Sequence, residues 1–471
     1  MADENILKQA YTALAAKQGK YDRLWSYYDG DQPIRYSAQR LQEVFRHLDA
    51  KFVQNWCSVV VDATLERIEL LDIDVAGDKT ATETINALWQ TTGMALDDND
   101  VHLAALVAGE AFVIIWKDKD GEVEAYYNDP RLCHVEYDPE NPREKAWAAK
   151  WWNVGKEKRL TIYFADHIEY YSAQMKGGVI SSAGAFKPVE ELPTSANPFG
   201  VIPIFHFRRT GRAINGELTS ILPVQDAINK LFADMMVAAE FGSMKQRWII
   251  SNAADLSAIK SAPYDAWSLP AGDGAGQGTQ VGEFSSAELS NFLTAMANLS
   301  TSIAVQARVP KHYLFAQGGD PSGEALIALE APLNRKCAAY IERFTSEWEK
   351  VAQFMLELSG IAADVADIYV RFAEPETVQP RTEAEIRKMS VEAGIPLRTQ
   401  LGREGWSDEE IKAMEKDGAA AKSAAQAGLA KALLDQQRAF DQEGNQNQAA
   451  VVPQAGAAST SQLVGGGNGG N

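Results

Sequence analysis

The chain has 471 residues, 64 acidic against 45 basic, with a formal charge of −19 and a pI near 4.9. That balance excludes binding that grips nucleic acid by its phosphates, which needs basic surface. Hydrophobic residues make up 46% and charged residues 23%, which excludes a wholly disordered chain and suits roughly three average domains.

In chain order, residues 3–28 predict a helix, with Ile6, Leu14, Leu24, Trp25 and Tyr28 on one side. Asp29-Gly30-Asp31-Gln32-Pro33 stops it, because glycine and proline both oppose continuation. A second helix is predicted over 37–62 and a third over 80–109. The pattern then changes. Ala111–Lys117 is β-rich, Asp118-Lys119-Asp120-Gly121 is a turn, and Glu122–Asn128 is the return strand. Further short strands are predicted at 133–138, 145–153, 159–164, 167–172 and 201–208. Together they predict a mixed α+β domain with an antiparallel meandering sheet.

Helix returns at Pro223, whose missing N–H suits a helix start. Val224, Ile228, Leu231, Met235 and Ala239 recur at spacings of 3 and 4. Residues 247–285 break the pattern with the apolar Trp248-Ile249-Ile250 and a Gly-rich stretch at Gly272–Gly282. Ser286 is a good N-cap for the next helix, whose stripe is Leu289, Leu293, Met296, Leu299 and Ile303. It stops near Val309-Pro310, since the residue before proline avoids the α region. A polar loop at 311–323 precedes the longest helix, 324–358. At 1.5 Å per residue that helix spans roughly 50 Å. Pro332 inside it predicts a kink, and Gly360 a C-cap. A strand is predicted at 366–373 and a helical module at 382–417, where Ser407 and Glu410 form a capping box. Residues 418–440 are Ala-, Gln- and Lys-rich and marginally helical; from Asp441 the composition predicts a disordered tail.

Chemistry is sparse. No GxxxxGK[ST], HExxH or GxSxG occurs. His47, His102, His134, His167, His206 and His312 are scattered, and Asp118 and Asp120 make only part of a calcium loop. Cys57, Cys133 and Cys337 match no CxxC spacing, so they read as free thiols in a reducing compartment. MADENILKQ places acids before any apolar run, which argues against a signal peptide. The most apolar stretch, Leu103 to Trp116, is interrupted by Glu110 and is too short to span a bilayer. Arg308, Lys311 and His312 cluster beside Pro310. They read either as a solvated helix end that complements the macrodipole or as contacts to a passing polyanion.

The order of motifs across 198–358 is more specific than any one of them. Pro198-Phe199-Gly200-Val201-Ile202-Pro203-Ile204 leads into Asp226-Ala227-Ile228-Asn229-Lys230-Leu231. Gly282-Glu283-Phe284 precedes the second helix, Val309-Pro310-Lys311-His312-Tyr313-Leu314 ends it, and Ser322-Gly323-Glu324-Ala325-Leu326 opens the long one. With Tyr27-Tyr28-Asp29-Gly30-Asp31 and Gly405-Trp406-Ser407-Asp408-Glu409-Glu410, this resembles the portal proteins of tailed bacteriophages with long non-contractile tails. The resemblance covers about residues 20–417.

The resemblance implies a predominantly helical α+β subunit with wing, stem, clip and crown regions, assembling into a ring of typically twelve copies at one vertex of the phage head. Residues 1–222 would form N-terminal helices and wing, 223–246 and 286–309 the stem helices, and 247–285 the clip. Residues 310–323 would be the tunnel loop, 324–379 the kinked helix and a wing strand, 380–440 the crown, and 441–471 the tail. Ile228, Leu231, Met235, Leu293, Met296 and Ile303 would pack the stem. Trp248, Trp267 and Phe284 would belong to the clip, Pro332 would set the kink, and Lys311, His312, Gln317, Asp320 and Ser322 would face DNA. The implied partners are a terminase packaging motor, major capsid and scaffolding proteins, a head-completion adaptor, and double-stranded DNA passing without sequence specificity. No membrane, cofactor, metal or catalysis is implied. The protein would be assembled in the bacterial cytoplasm and reside in the virion. The alternatives are a carboxylate-based, metal-dependent hydrolase and a different head–tail adaptor.

Overall fold

The structure is a computed structural model describing residues 4–32, 53–211, 213–243, 247–250, 280–283, 288–315, 323–375, 387–403, 406 and 408–448. It divides into two compact units, 1–383 and 384–471.

In the first unit, α1 (Glu4–Tyr28) presents Tyr21, Leu24 and Tyr27 to the main core and Ala10 and Leu14 to a second core under the β-domain. The helix expected over 37–62 is corrected where it is described. α2 spans Trp56–Leu65, and Asn55 caps it from an extended backbone, its side chain accepting from the Cys57 amide. The single helix expected over 80–109 is also corrected. Gly93 adopts a left-handed φ of 81°, which separates α3 (Lys79–Thr91) from α4 (Met94–Ala108).

α4 feeds β2 (Glu110–Lys117), which pairs antiparallel with β3 (Val123–Asn128). The turn between them is set by Asp118, whose side chain accepts from the Asp120 and Glu122 amides at 2.8 and 2.9 Å. A meander follows: β4 (Cys133–Tyr137), β5 (Lys145–Val154), β6 (Glu157–Tyr163) and β7 (His167–Gln174), edged by β8 (Lys187–Pro188) and β9 (Thr194–Ala196). β10 (Ile204–Arg208) returns to the other side of β2. A strand that the sequence reading did not identify, β1 (Leu70–Val75), pairs with β13 (Ile368–Phe372), placing Ile73 opposite Val370 and Val75 opposite Ile368.

α5 (Leu222–Ser243) and α6 (Leu289–Ala307) pack on one another, with β11 (Arg247–Ile250) and β12 (Gln280–Glu283) between them in sequence. The N-cap expected at Ser286 is not where the helix begins. α6 starts at Leu289, the preceding Glu288 makes no side-chain cap bond, and Ser286 lies outside the described residues. α7 (Gly323–Leu358) runs unbroken past Pro332, which is exposed on its surface, and Gly360 ends it at φ 84°. Trp348 of α7 is fully buried against Trp89, His102 and Phe207, with its indole N–H donating to His102 Nε2 at 2.9 Å.

The second unit has helices at 387–392, Leu397–Arg403 and Asp408–Gln448. The last corrects the tail expected from Asp441, since helix continues through Gln448. Ser407 lies outside the described residues, although the helix starts at the position its capping box predicts.

Candidate channel and interface elements

The α5 helix is anchored at its base by polar side chains. Gln225, Asp226 and Asn229 are all buried. Tyr27 of α1 donates to Asp226, and Gln225 donates to the carbonyl of Gln54 and accepts from the Trp56 amide at 3.3 Å. Asn229 accepts from the Gln54 amide at 3.1 Å. The motif Asp226-Ala227-Ile228-Asn229 thus ties a long helix to α1 and the entry of α2. Its apolar members divide. Ile228 and Ile303 belong to the main core and Met296 is buried, so these three are already covered within the chain. Leu231 and Met235 are half-buried, and Leu293 is 46% exposed. Leu293 is the member of the sequence-derived stripe that stays most open to a neighbour.

The insert carries a two-stranded antiparallel ladder, β11 with β12, in which Trp248 lies opposite Gly282. A Cβ at Gly282 would come within 2.3 Å of the Trp248 ring. Glycine here makes room for the indole rather than supplying an unusual φ. Trp267 and Phe284 lie outside the described residues.

The turn that follows α6 is held from two sides. Lys311 and His312 sit in a 3-10 turn, Lys311–Tyr313, with Lys311 exposed and His312 half-buried. The Tyr313 hydroxyl donates to Glu330 Oε1 at 3.1 Å and accepts from Arg67 Nη2 at 2.9 Å. Arg67 in turn reaches Glu330 Oε2 at 3.4 Å, joining α2 to α7 through the turn. On the other side of Pro332, Lys336 donates to the Ala307 carbonyl at 2.9 Å and pairs with Glu217 at 3.0 Å. Gln317, Asp320 and Ser322 lie outside the described residues. None of these anchoring partners is visible as a motif, because Arg67, Tyr313 and Glu330 are far apart in the chain.

The histidines have separate partners. His134 approaches Glu136 at 3.0 Å, His167 approaches Asp166 at 2.7 Å, and His206 Nε2 approaches Glu110 Oε2 at 2.8 Å. Glu110 is fully buried and also takes Lys17 at 2.6 Å and the Tyr21 hydroxyl at 2.5 Å. Burial pushes the Glu110 carboxyl up, but Lys17 and His206 outweigh it and hold it below the usual carboxylate range. Burial keeps His206 neutral, so its Nε2–H donates to Glu110 while Nδ1 faces the Tyr137 hydroxyl at 3.1 Å. Burial also raises all three thiols, Cys133 to about 12 and Cys337 to about 11. Among the described residues no group of three or more His, Cys, Asp or Glu is placed to hold a metal ion, and no helix is long and apolar enough to cross a membrane.

Comparison with known proteins supplies the context for this arrangement. A portal protein of Mycobacterium phage L5 is 22% identical over 379 residues, covering 75% of this chain and 74% of the relative. A chain in the neck of an empty GTA particle computed with C6 symmetry covers 76% of this chain and 90% of its own length, at 14% identity and a TM-score of 0.45. The family described as phage portal protein, SPP1 Gp6-like, matches residues 8–424. That match takes in the anchored helix pair, the insert, the turn at Tyr313 and the long helix, and the chain belongs to the phage portal protein family.

Proposed function

We propose that this portal subunit forms a ring, of twelve copies when built into a head, whose central channel carries double-stranded DNA during packaging and ejection. The observation that carries the reading is the order of parts within the family match: a helix pair with an inserted two-stranded ladder, then the turn at Tyr313 and a long helix. α5 and α6 are the stem, β11 and β12 belong to the clip, and 310–323 is the tunnel loop. The packaging motor and head-completion protein meet the clip, and the capsid and scaffolding proteins meet the wing.

The charge supports passive transport. A chain of −19 multiplied around a ring presents like charge to DNA and resists holding it. The energy for translocation then comes from a separate motor, in keeping with a sequence that has no phosphate loop. Pro332 lacks an amide donor and lies between the two α7 side chains that hold that turn, Glu330 and Lys336. It is the place where the loop-bearing end of α7 can bend while the rest stays packed.

Imaging of the purified full-length chain tests the reading. The expected result is a ring with a central hole. A monodisperse monomer with metal-dependent hydrolytic activity would overturn it. Shortening 316–323 should leave rings intact while impairing DNA packaging or retention; loss of rings would make that segment structural instead.

A further inference from the structure

Lys336 and Arg209 border a cavity of about 460 Å³ together with Glu217, Tyr340 and Arg308. Its walls are closely packed. A Cβ at Gly216 would fall 1.7 Å from the Val107 carbonyl oxygen, and one at Gly109 would fall 2.6 Å from the Asn215 backbone. The backbone of 215–216 is therefore pressed against the end of α4. Arg209 is fixed by the Asn215 carbonyl at 2.8 Å and the Tyr340 hydroxyl at 2.6 Å.

Three cations line this cavity with one carboxylate. Glu217 takes Lys336 at 3.0 Å and stands 3.9 Å from Arg209. Arg308 makes no ion pair among the described residues, and it is exposed. It also has the one non-glycine positive φ among them, 56°, at the left-handed position that ends α6. Glycine would fill that position without strain. Arginine there accepts strain, and it adds a charge to the border of a cavity that already sets Arg209 and Lys336 against Glu217.

We propose that this pocket is an assembly contact that receives a carboxylate side chain from a second copy of the chain, with Arg308 as its main recognition group. The proposal rests on the ring reading above. Charge complementarity favours a second copy, since the chain carries 64 acidic residues against 45 basic. A notch of this size admits a protruding side chain, whereas a duplex presents its phosphates on a smooth convex surface.

The test is ring assembly of full-length Arg308→Gly and Arg308→Glu, followed by sedimentation across protein and salt concentration. Arg308→Gly relieves the backbone strain, so its subunit should melt at or above the wild-type temperature. It should nonetheless need roughly tenfold more protein to assemble, and Arg308→Glu more still. Salt screens both the pocket contact and the repulsion between copies of −19, so the gap between wild type and the variants should close as salt rises. Both variants assembling at the wild-type concentration would overturn the proposal. So would normal rings that lose only DNA retention, which would assign the pocket to phosphate. A wild-type chain that forms no ring would overturn the ring reading itself, and this proposal with it.

Discussion

Replacing Glu110 by Gln should destabilise the subunit severely while changing almost no volume. The carboxylate is buried and accepts from Lys17, Tyr21 and His206. Glutamine keeps one acceptor oxygen for Lys17 and Tyr21 and turns its NH2 towards His206 Nε2, which can accept only by shifting its proton to Nδ1. Lys17, with a side chain only 10% exposed, would lose its counter-charge. Removing one partner of a buried pair costs about 3–5 kcal/mol, a large share of the roughly 5–15 kcal/mol that holds a domain together. The double variant Lys17→Met, Glu110→Gln removes both charges and should recover much of the loss. Urea unfolding followed by far-UV circular dichroism measures all four members of the cycle. The pH dependence has a definite sign. A carboxyl held below its unfolded value contributes stability above that value and loses it as pH falls. The wild type should therefore lose stability below about pH 4 more steeply than Glu110→Gln. A single variant within about 1 kcal/mol of wild type would refute the reasoning, because the pair would then carry no net coupling.

Asp98 has the opposite sign. Burial, with Asp97 and Asp100 nearby, raises its carboxyl to about 6, so its stability contribution is present below the unfolded value and lost as pH rises through 6. Asp98→Asn should stabilise the fold by about 2 kcal/mol at pH 8 and by little at pH 4, read as melting temperatures at the two values; an equal effect at both would remove the titration argument. Gly282→Ala should displace the Trp248 ring and loosen the hairpin without touching the body. Hydrogen exchange should rise at 247–250 with the main melting transition unmoved, and unchanged exchange there would mean the ring yields freely.

Long amphipathic segments were legible because their period is written in the chain itself. Val224, Ile228, Leu231 and Met235 gave α5, and the repeat from Leu326 to Leu358 gave α7, each within a residue or two of its observed start. The β-rich stretch was legible from its turns, above all Asp118–Gly121 between β2 and β3, but not its division into one sheet of β10, β2 and β3 and another built on β4–β7. β1 was not, although Ile73 and Val75 alternate with Asp72 and Asp74, because its partner β13 lies some 300 residues away and a six-residue strand carries little signal alone. Gly93 lay inside an otherwise helical pattern, and only its left-handed φ shows that it ends one helix rather than interrupting it. At the site, the period of an apolar stripe is written in the chain, but what covers each of its members is not. Ile228, Met296 and Ile303 share the period of a packing stripe, yet they are covered within one chain.

The more revealing residues are the polar ones beside them. A helix that only had to bury itself would not carry Gln225, Asp226 and Asn229 at its base, since each buried polar group costs free energy until it is paired. Here all three are paired, with Tyr27, Gln54 and Trp56 on two other elements. Apolar packing would hold the helix against the body but leave it free to slide or rotate. Directional bonds fix its register. The turn after α6 follows the same logic through Tyr313, Arg67 and Glu330, as does the end of α6 through Lys336. In the proposed reading, a passive conduit must hold α5 and the turn at Tyr313 in place while DNA moves past, without gripping the DNA. On the proposed assignment, the buried hydrogen bonds at the base of α5 and beside Tyr313 would meet both demands.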